Sequence, residues 1–231
     1  VKTKVLVLSF LLMLIFGSTA FAWRSTPYSY GIVVNNNLTV VGVNINGPAY
    51  QSGIRPGDII TNATKEQLYT TDESTLSISY KRDDQSINTT LTSKKLLDIS
   101  EMTTFLILDS SKANYDRLVK LLAFNSSISP MFPIQNADNN IKIINTSSVV
   151  TRKNVNNFPD YLVAVGGSGF GFTNLRTQGS FALADAADND SLLKISLGFQ
   201  ASFGYIGGTA WDTFPSSGIL ERNIVDYLYS N

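Results

Sequence analysis

The sequence predicts an α+β fold, and three observations carry that prediction. Leu193, Ile195, Leu197, Phe199, Ala201, Phe203 and Tyr205 alternate without a fault against Lys194, Ser196, Gly198, Gln200, Ser202 and Gly204. That is the period of a long, half-buried antiparallel strand. Two other stretches keep a helical period, one placing Tyr115, Leu118, Val119 and Leu122 on a face, the other Leu220, Ile224, Tyr227 and Leu228. Between residues 41 and 60, two short strand patterns flank a turn punctuated by Gly and Pro. Strands bracketed by amphipathic helices belong to α+β sheet domains.

In chain order, residues 1–22 read as a secretory signal. Lys2 and Lys4 precede an apolar run over residues 5–16, and Ala20-Phe21-Ala22 places small residues at the cleavage positions. As a helix that run spans ~18 Å, short of the ~30 Å bilayer core. The expectation is a mature chain starting near Trp23, periplasmic or secreted, touching membrane only through an uncleaved signal. Removing the two lysines from the 18 basic residues leaves 16 against 18 acidic, a net charge of −2. Such a balance offers nothing to nucleic acid or to an anionic membrane surface. The chain has no cysteine, so the exported domains hold by packing without disulfides.

Residues 23–96 form the first predicted domain. Val41, Val43 and Ile45 alternate against Gly42 and Asn44 as a strand, which Gly47-Pro48 breaks. Ala49 to Ser52 allows one helical turn, and Gly53 ends it in the left-handed region. Ile54 turns back into the core, Arg55-Pro56-Gly57-Asp58 makes a tight turn, and Ile59-Ile60 re-enters as a buried strand. This order of residues, with the opening Tyr28-Ser29-Tyr30-Gly31-Ile32 and a closing strand ending Tyr80-Lys81-Arg82-Asp83-Asp84-Gln85, resembles the PDZ domain of bacterial high-temperature-requirement envelope proteases over about residues 28–94.

The resemblance implies a partly open β-sandwich or barrel that binds peptides. A loop holds a peptide's terminal carboxylate on backbone amides, here Tyr30, Gly31 and Ile32, and the strand after it, Val33 and Val34, pairs with the peptide. A helix of two to three turns usually walls the groove. Here residues 64–73 have Leu68 and Tyr69 as their apolar members, room for one or two turns before Leu76, Ile78 and Tyr80 begin to alternate. Leu68 is thus the predicted wall contact, in a shallow or open groove. A scaffold that only packs against the second domain is the competing reading.

Residues 94–101 read as the join, polar but without a long Pro/Ser linker, so the two parts touch. The second predicted domain, residues 102–231, is α+β with a mainly antiparallel sheet and two helices. It opens with the strand Thr104-Phe105-Leu106-Ile107-Leu108, and Asp109-Ser110-Ser111 caps the first helix. Residues 125–133 are turn-rich, residues 141–150 and 161–165 are strand candidates, and a Gly-rich segment follows at 166–172. The late alternating strand comes next, and Pro215-Ser216-Ser217 starts the last helix.

The chain has no histidine, which excludes a Ser-His-Asp triad, a Cys-His dyad and imidazole-held zinc. Asp109-Ser110-Ser111 resembles the Asp-Thr/Ser-Gly of retropepsin-like proteases, in which two aspartates share a proton, but Ser111 stands at the glycine of that motif. No stretch resembles the nucleophile or base segments of Ser/Lys peptidases. The Gly-rich segment lacks a nucleotide-loop ending, and two convincing strands fall far short of an outer-membrane barrel. The expectation is an exported, non-catalytic accessory or assembly factor of the bacterial envelope, with no cofactor and no metal, binding a protein or an extended peptide. A histidine-independent peptidase and a purely structural envelope subunit are the alternatives.

Overall fold

The computed structural model describes residues 27–95, 103–151, 172–205, 208–214 and 216–230. The predicted signal, most of the predicted join, the strand candidate at 161–165 and the glycine cluster at 166–171 lie outside the described residues. The fold is α+β, with antiparallel sheets and no closed barrel among the described residues.

Strands β1 (Tyr28–Ser29), β2 (Ile32–Val34) and β3 (Val40–Asn44) lead into a one-turn helix, α1 (Pro48–Gln51). Its Pro sits at the start of the helix, where a missing N–H costs nothing, and Gly53 follows at φ +87°. Gly57, at φ +89°, completes the turn into β4 (Ile59–Ile60). Here the expectation of a buried pair is corrected: Ile60 is buried, whereas Ile59 is 45% exposed. A strand sends successive side chains to opposite faces, and one face of this one has no core behind it.

Helix α2 (Lys65–Leu68) is one turn held by a reciprocal capping box between Thr64 and Gln67. After it, β5 (Thr75–Arg82) and β6 (Gln85–Thr92) form a hairpin. Asp83 and Asp84 turn the corner at φ 48° and 62°, so the closing strand ends at Arg82 and not at Gln85. The short β7 (Lys94–Lys95) pairs with β1.

In the second region, β8 (Thr103–Ile107) precedes α3 (Ser111–Phe124), whose N-cap is Ser110. Then come β9 (Ile134–Asp138), β10 (Ile143–Thr151), β11 (Phe172–Asp185), β12 (Ser191–Tyr205), β13 (Gly208–Phe214) and α4 (Ile219–Leu228). The expected serine start of the last helix is corrected by a few residues. Gly218, at φ +80°, is the N-cap, and the Ser216 hydroxyl instead donates to the buried Glu221 carboxyl.

β4, β5 and β6 make a three-stranded sheet. An eight-stranded sheet runs β2-β3-β8-β12-β11-β10-β9, with β13 alongside the far half of β12. It therefore crosses the predicted join, since Gly42 to Asn44 of β3 lie opposite Ile107 to Phe105 of β8. Two cores result. Tyr30, Ile32, Val34, Val40, Val43, Ile54, Leu68, Ile78 and Tyr80 fill the first. α3 and α4 cover one face of the large sheet to make the second, where Phe132 meets Phe181 and Phe199 edge-on at 6.4 and 6.3 Å.

β3 serves both cores by means of a bulge. Val33 pairs with Gly42 but Val34 with Val40, leaving Val41 as an extra residue. Val40 and Val43 enter the first core while Val41 enters the second, so the simple alternation of Val41 with Val43 is corrected. Gly42 faces the second core as well. A Cβ there would lie 2.8 Å from Val225 Cγ1 and 3.2 Å from Ile107 Cγ2. The bare glycine lets α4 lie directly on the strand.

Candidate functional site at the outer edge of β2

β2 is the terminal strand of the large sheet, with β3 on one side and no strand on the other among the described residues. Gly31 turns its main chain toward β3, accepting from the Asn44 amide at 2.8 Å. Main-chain groups alternate along a strand, so Ile32 and Val34 present theirs to the outer edge. At Val34 that edge is met by one side chain. The Val34 N–H donates to the Tyr69 Oη at 3.2 Å, and the Tyr69 hydroxyl donates to the Val34 carbonyl at 3.3 Å.

Tyr69 is the C-cap of α2, and residues from the far end of the sequence hold it in place. The Arg222 guanidinium lies 4.8 Å from its ring centroid and Nη1 donates to its carbonyl at 3.4 Å. Lys65 Nζ is 5.2 Å from the same ring and forms an ion pair with Asp226 at 2.8 Å. Burial, reinforced by Asp226, pushes the Tyr69 phenol well above its ordinary value, so it remains a donor at any physiological pH. Burial lowers the pKa of Arg222, whose Nε is buried without a hydrogen-bond partner among the described residues.

The sequence-predicted site residues come together around this edge, but as buried groups. Tyr30 is inside the first core with its hydroxyl 2.8 Å from Ser74 Oγ, and its carbonyl accepts from Ala49 at the start of α1. Gly31, at φ +71°, approaches Gly47 so closely that a Cβ would sit 3.0 Å from its Cα, and its N–H donates to Ser29 Oγ at 3.0 Å. Ile32, Val34 and Leu68 pack in the first core and Val33 in the second. Main chain and side chain alike are at most 1% exposed from Ile32 to Val34, so the edge is covered in this conformation. Sequence reasoning named Tyr69 only as an apolar member of the wall, because nothing local announces that its hydroxyl reaches back 35 residues.

Catalytic candidates are differently placed. The Asp109 carboxylate pairs with Arg117 at 2.6 Å, and the Ser110 hydroxyl accepts from Ala113 N as the cap of α3. Ser111 donates to Asp185, which draws that carboxyl below its ordinary value. Asp190 is pushed up to about 6 by burial, then by Asp188 and Asp109. Among the described residues, no hydrogen bond joins two carboxyl groups and no cluster of three or more potential ligands suits a metal ion.

No family model matches this chain, and no curated protein matches it.

Proposed function

We propose that this chain is an exported, non-catalytic binding protein of the bacterial envelope, in which a PDZ-like module at residues 23–96 takes an extended protein or peptide segment by strand addition along β2. An α+β domain at residues 102–231 accompanies it. One observation carries the reading: β2 ends its sheet, and a side-chain hydroxyl satisfies the outward amide and carbonyl of Val34. An added strand supplies one N–H and one C=O at each such position. The phenol supplies a donor and an acceptor from a single oxygen, so a segment joining β2 exchanges like for like as Tyr69 turns away. The role calls for no cofactor, metal ion or nucleic acid.

The test is a titration of the isotopically labelled mature chain with a pool of C-terminal peptides, followed through the amide resonances of Ile32 and Val34. Those resonances shift on binding. Tyr69→Phe keeps the ring and removes both competing bonds, worth about 1–2 kcal/mol together, so peptide affinity rises about tenfold. Unmoved β2 amides at millimolar peptide, in both proteins, discard strand addition. The Tyr69 cap also favours a second reading, a structural subunit whose edge is already filled. In that case crosslinking in native membranes captures a neighbour while peptides bind neither protein.

A further inference from the structure

A second surface lies on the opposite side of the sheet from α3 and α4. There Leu106 of β8 and Leu192 of β12 stand directly across from each other, both partly exposed. They form the floor of a groove of about 1000 Å³, bounded by the Arg55–Asp58 turn and β4 on one side and by the Ala187–Asn189 turn on the other. Ile59, 45% exposed, projects into the same groove. Exposed apolar groups gathered in a concavity with a polar rim are the usual mark of a contact surface.

The rim is lopsided in charge. Arg82 is committed to Asp58, with Nε and Nη2 donating at 2.7 Å to its two carboxylate oxygens. Arg55 is committed to the carbonyls of Tyr50 and Ile54, at 2.8 Å each. Those carbonyls are neutral and leave Arg55 its charge, so among the described residues Arg55 and Lys81 face the four carboxylates of Asp83, Asp84, Asp188 and Asp190. None of these four makes an ion pair among the described residues. The two pairs of aspartates sit on separate elements that flank the apolar floor. Neither β8 nor β12 presents a free edge here: β8 lies between β3 and β12, and β12 between β8 and β11. An occupant is therefore held by its side chains and not by strand addition.

We infer that this groove is a docking surface for a polypeptide segment of another protein that carries an aliphatic side chain between lysines or arginines. The aliphatic group sits against Ile59, Leu106 and Leu192, and the cations meet the aspartates of the two rims. The surface is separate from the β2 edge and does not depend on strand addition there.

The test is a selection of random 12-residue peptides displayed on phage, against the immobilised mature chain, with an Ile59→Ser variant as counter-selection. Enriched peptides should carry Leu, Ile, Val or Met flanked by Lys or Arg. A synthetic copy of the best should bind at least tenfold more weakly to Ile59→Ser and to an Asp188→Asn, Asp190→Asn double variant. Its affinity should drop in 0.5 M salt (an ionic strength of the order that screens surface pairs) and stay unchanged on Tyr69→Phe. Ile59 and Asp188 lie at the surface and Asp190 is partly exposed, and matching far-ultraviolet spectra confirm that each variant is folded. No enrichment over the counter-selection, enrichment of acidic peptides, or equal affinity for the parent and both variants each overturns the proposal. A rise in affinity of about tenfold on Tyr69→Phe assigns the peptide to the β2 edge and equally overturns it.

Discussion

Asp190 shows how one residue registers its surroundings. Its carboxyl is pushed up to about 6 from an ordinary 3.8, first by burial and then by the carboxylates of Asp188 and Asp109. A raised folded-state value means that the fold disfavours the ionised form. Well below its ordinary 3.8 the group is neutral whether folded or unfolded, and no stability is at stake. As pH rises from 3.8 to about 6 the unfolded chain gives up the proton that the folded protein keeps, so stability falls across that window and levels off above it. Asp190→Asn therefore matches the parent protein in thermal unfolding near pH 2.5 and exceeds it at pH 7.5, by about 1 kcal/mol after allowance for solvent screening. Equal stability at both pH values would show that Asp190 is not strained by its neighbours. The buried Glu221 has its value raised by burial too, so the slope against pH shrinks in the variant without vanishing.

At the scale of elements, the decisive contact joins β3 to α4, two segments from opposite ends of the chain. The β3 bulge turns Val41 and Gly42 toward α4, and the missing side chain at Gly42 admits Val225. Neither β-branched Val225 nor Ile107 can swing far out of the way. Gly42→Ala is thus expected to cost about 1–3 kcal/mol in denaturant unfolding, as overpacking does. Val225→Ala alone leaves a small cavity and costs about 1–2 kcal/mol. The double variant recovers part of the loss, a coupling that a cycle of the four proteins measures directly. Additive losses would place α4 somewhere other than on β3. This contact also seats Arg222 and Asp226 over Tyr69 and Lys65, so loosening α4 relaxes the cap on the β2 edge.

For the whole molecule, the shared sheet and shared core govern cooperativity. The main chain of β3 is paired with that of β8, and Val33 and Val41 belong to the core formed by α3, α4 and the long strands. Cutting the chain between the regions would expose those valines and a strand edge together. We expect full-length protein to unfold in one calorimetric transition, with equal calorimetric and van't Hoff enthalpies. Residues 23–96 alone should show amide exchange at Val33 and Val41 far faster than in the intact chain. Two resolved transitions would mean that the regions hold independently of the seam.

Much of this was legible in the sequence, for reasons that particular residues make plain. The late strand read correctly because Leu193, Ile195, Leu197, Phe199 and Ala201 all face one core, and the helix over Ser111–Phe124 read correctly because its apolar stripe and its serine cap agree. β11, its neighbour, escaped notice because two of its inward positions are Thr177 and Gly179. Thr177 donates to the Met131 carbonyl, and Gly179 leaves no room for a Cβ beside Thr146. β6 and β9 lacked the apolar alternation that marks a strand, their outer faces being exposed. The hydroxyl at the β2 edge was invisible for another reason: a side chain's partner 35 residues away leaves no local period.

Local chemistry alone determined that this chain carries strands and amphipathic helices around a glycine-proline turn, without imidazole or thiol, because backbone preference and side-chain periodicity act over a few residues. Only the tertiary structure decided that β3 and β8 join, that Tyr69 stands at the β2 edge, and that Ile59 faces a groove and not a core. Each of those depends on which distant segments meet, and contact between segments is settled by packing the whole chain at once.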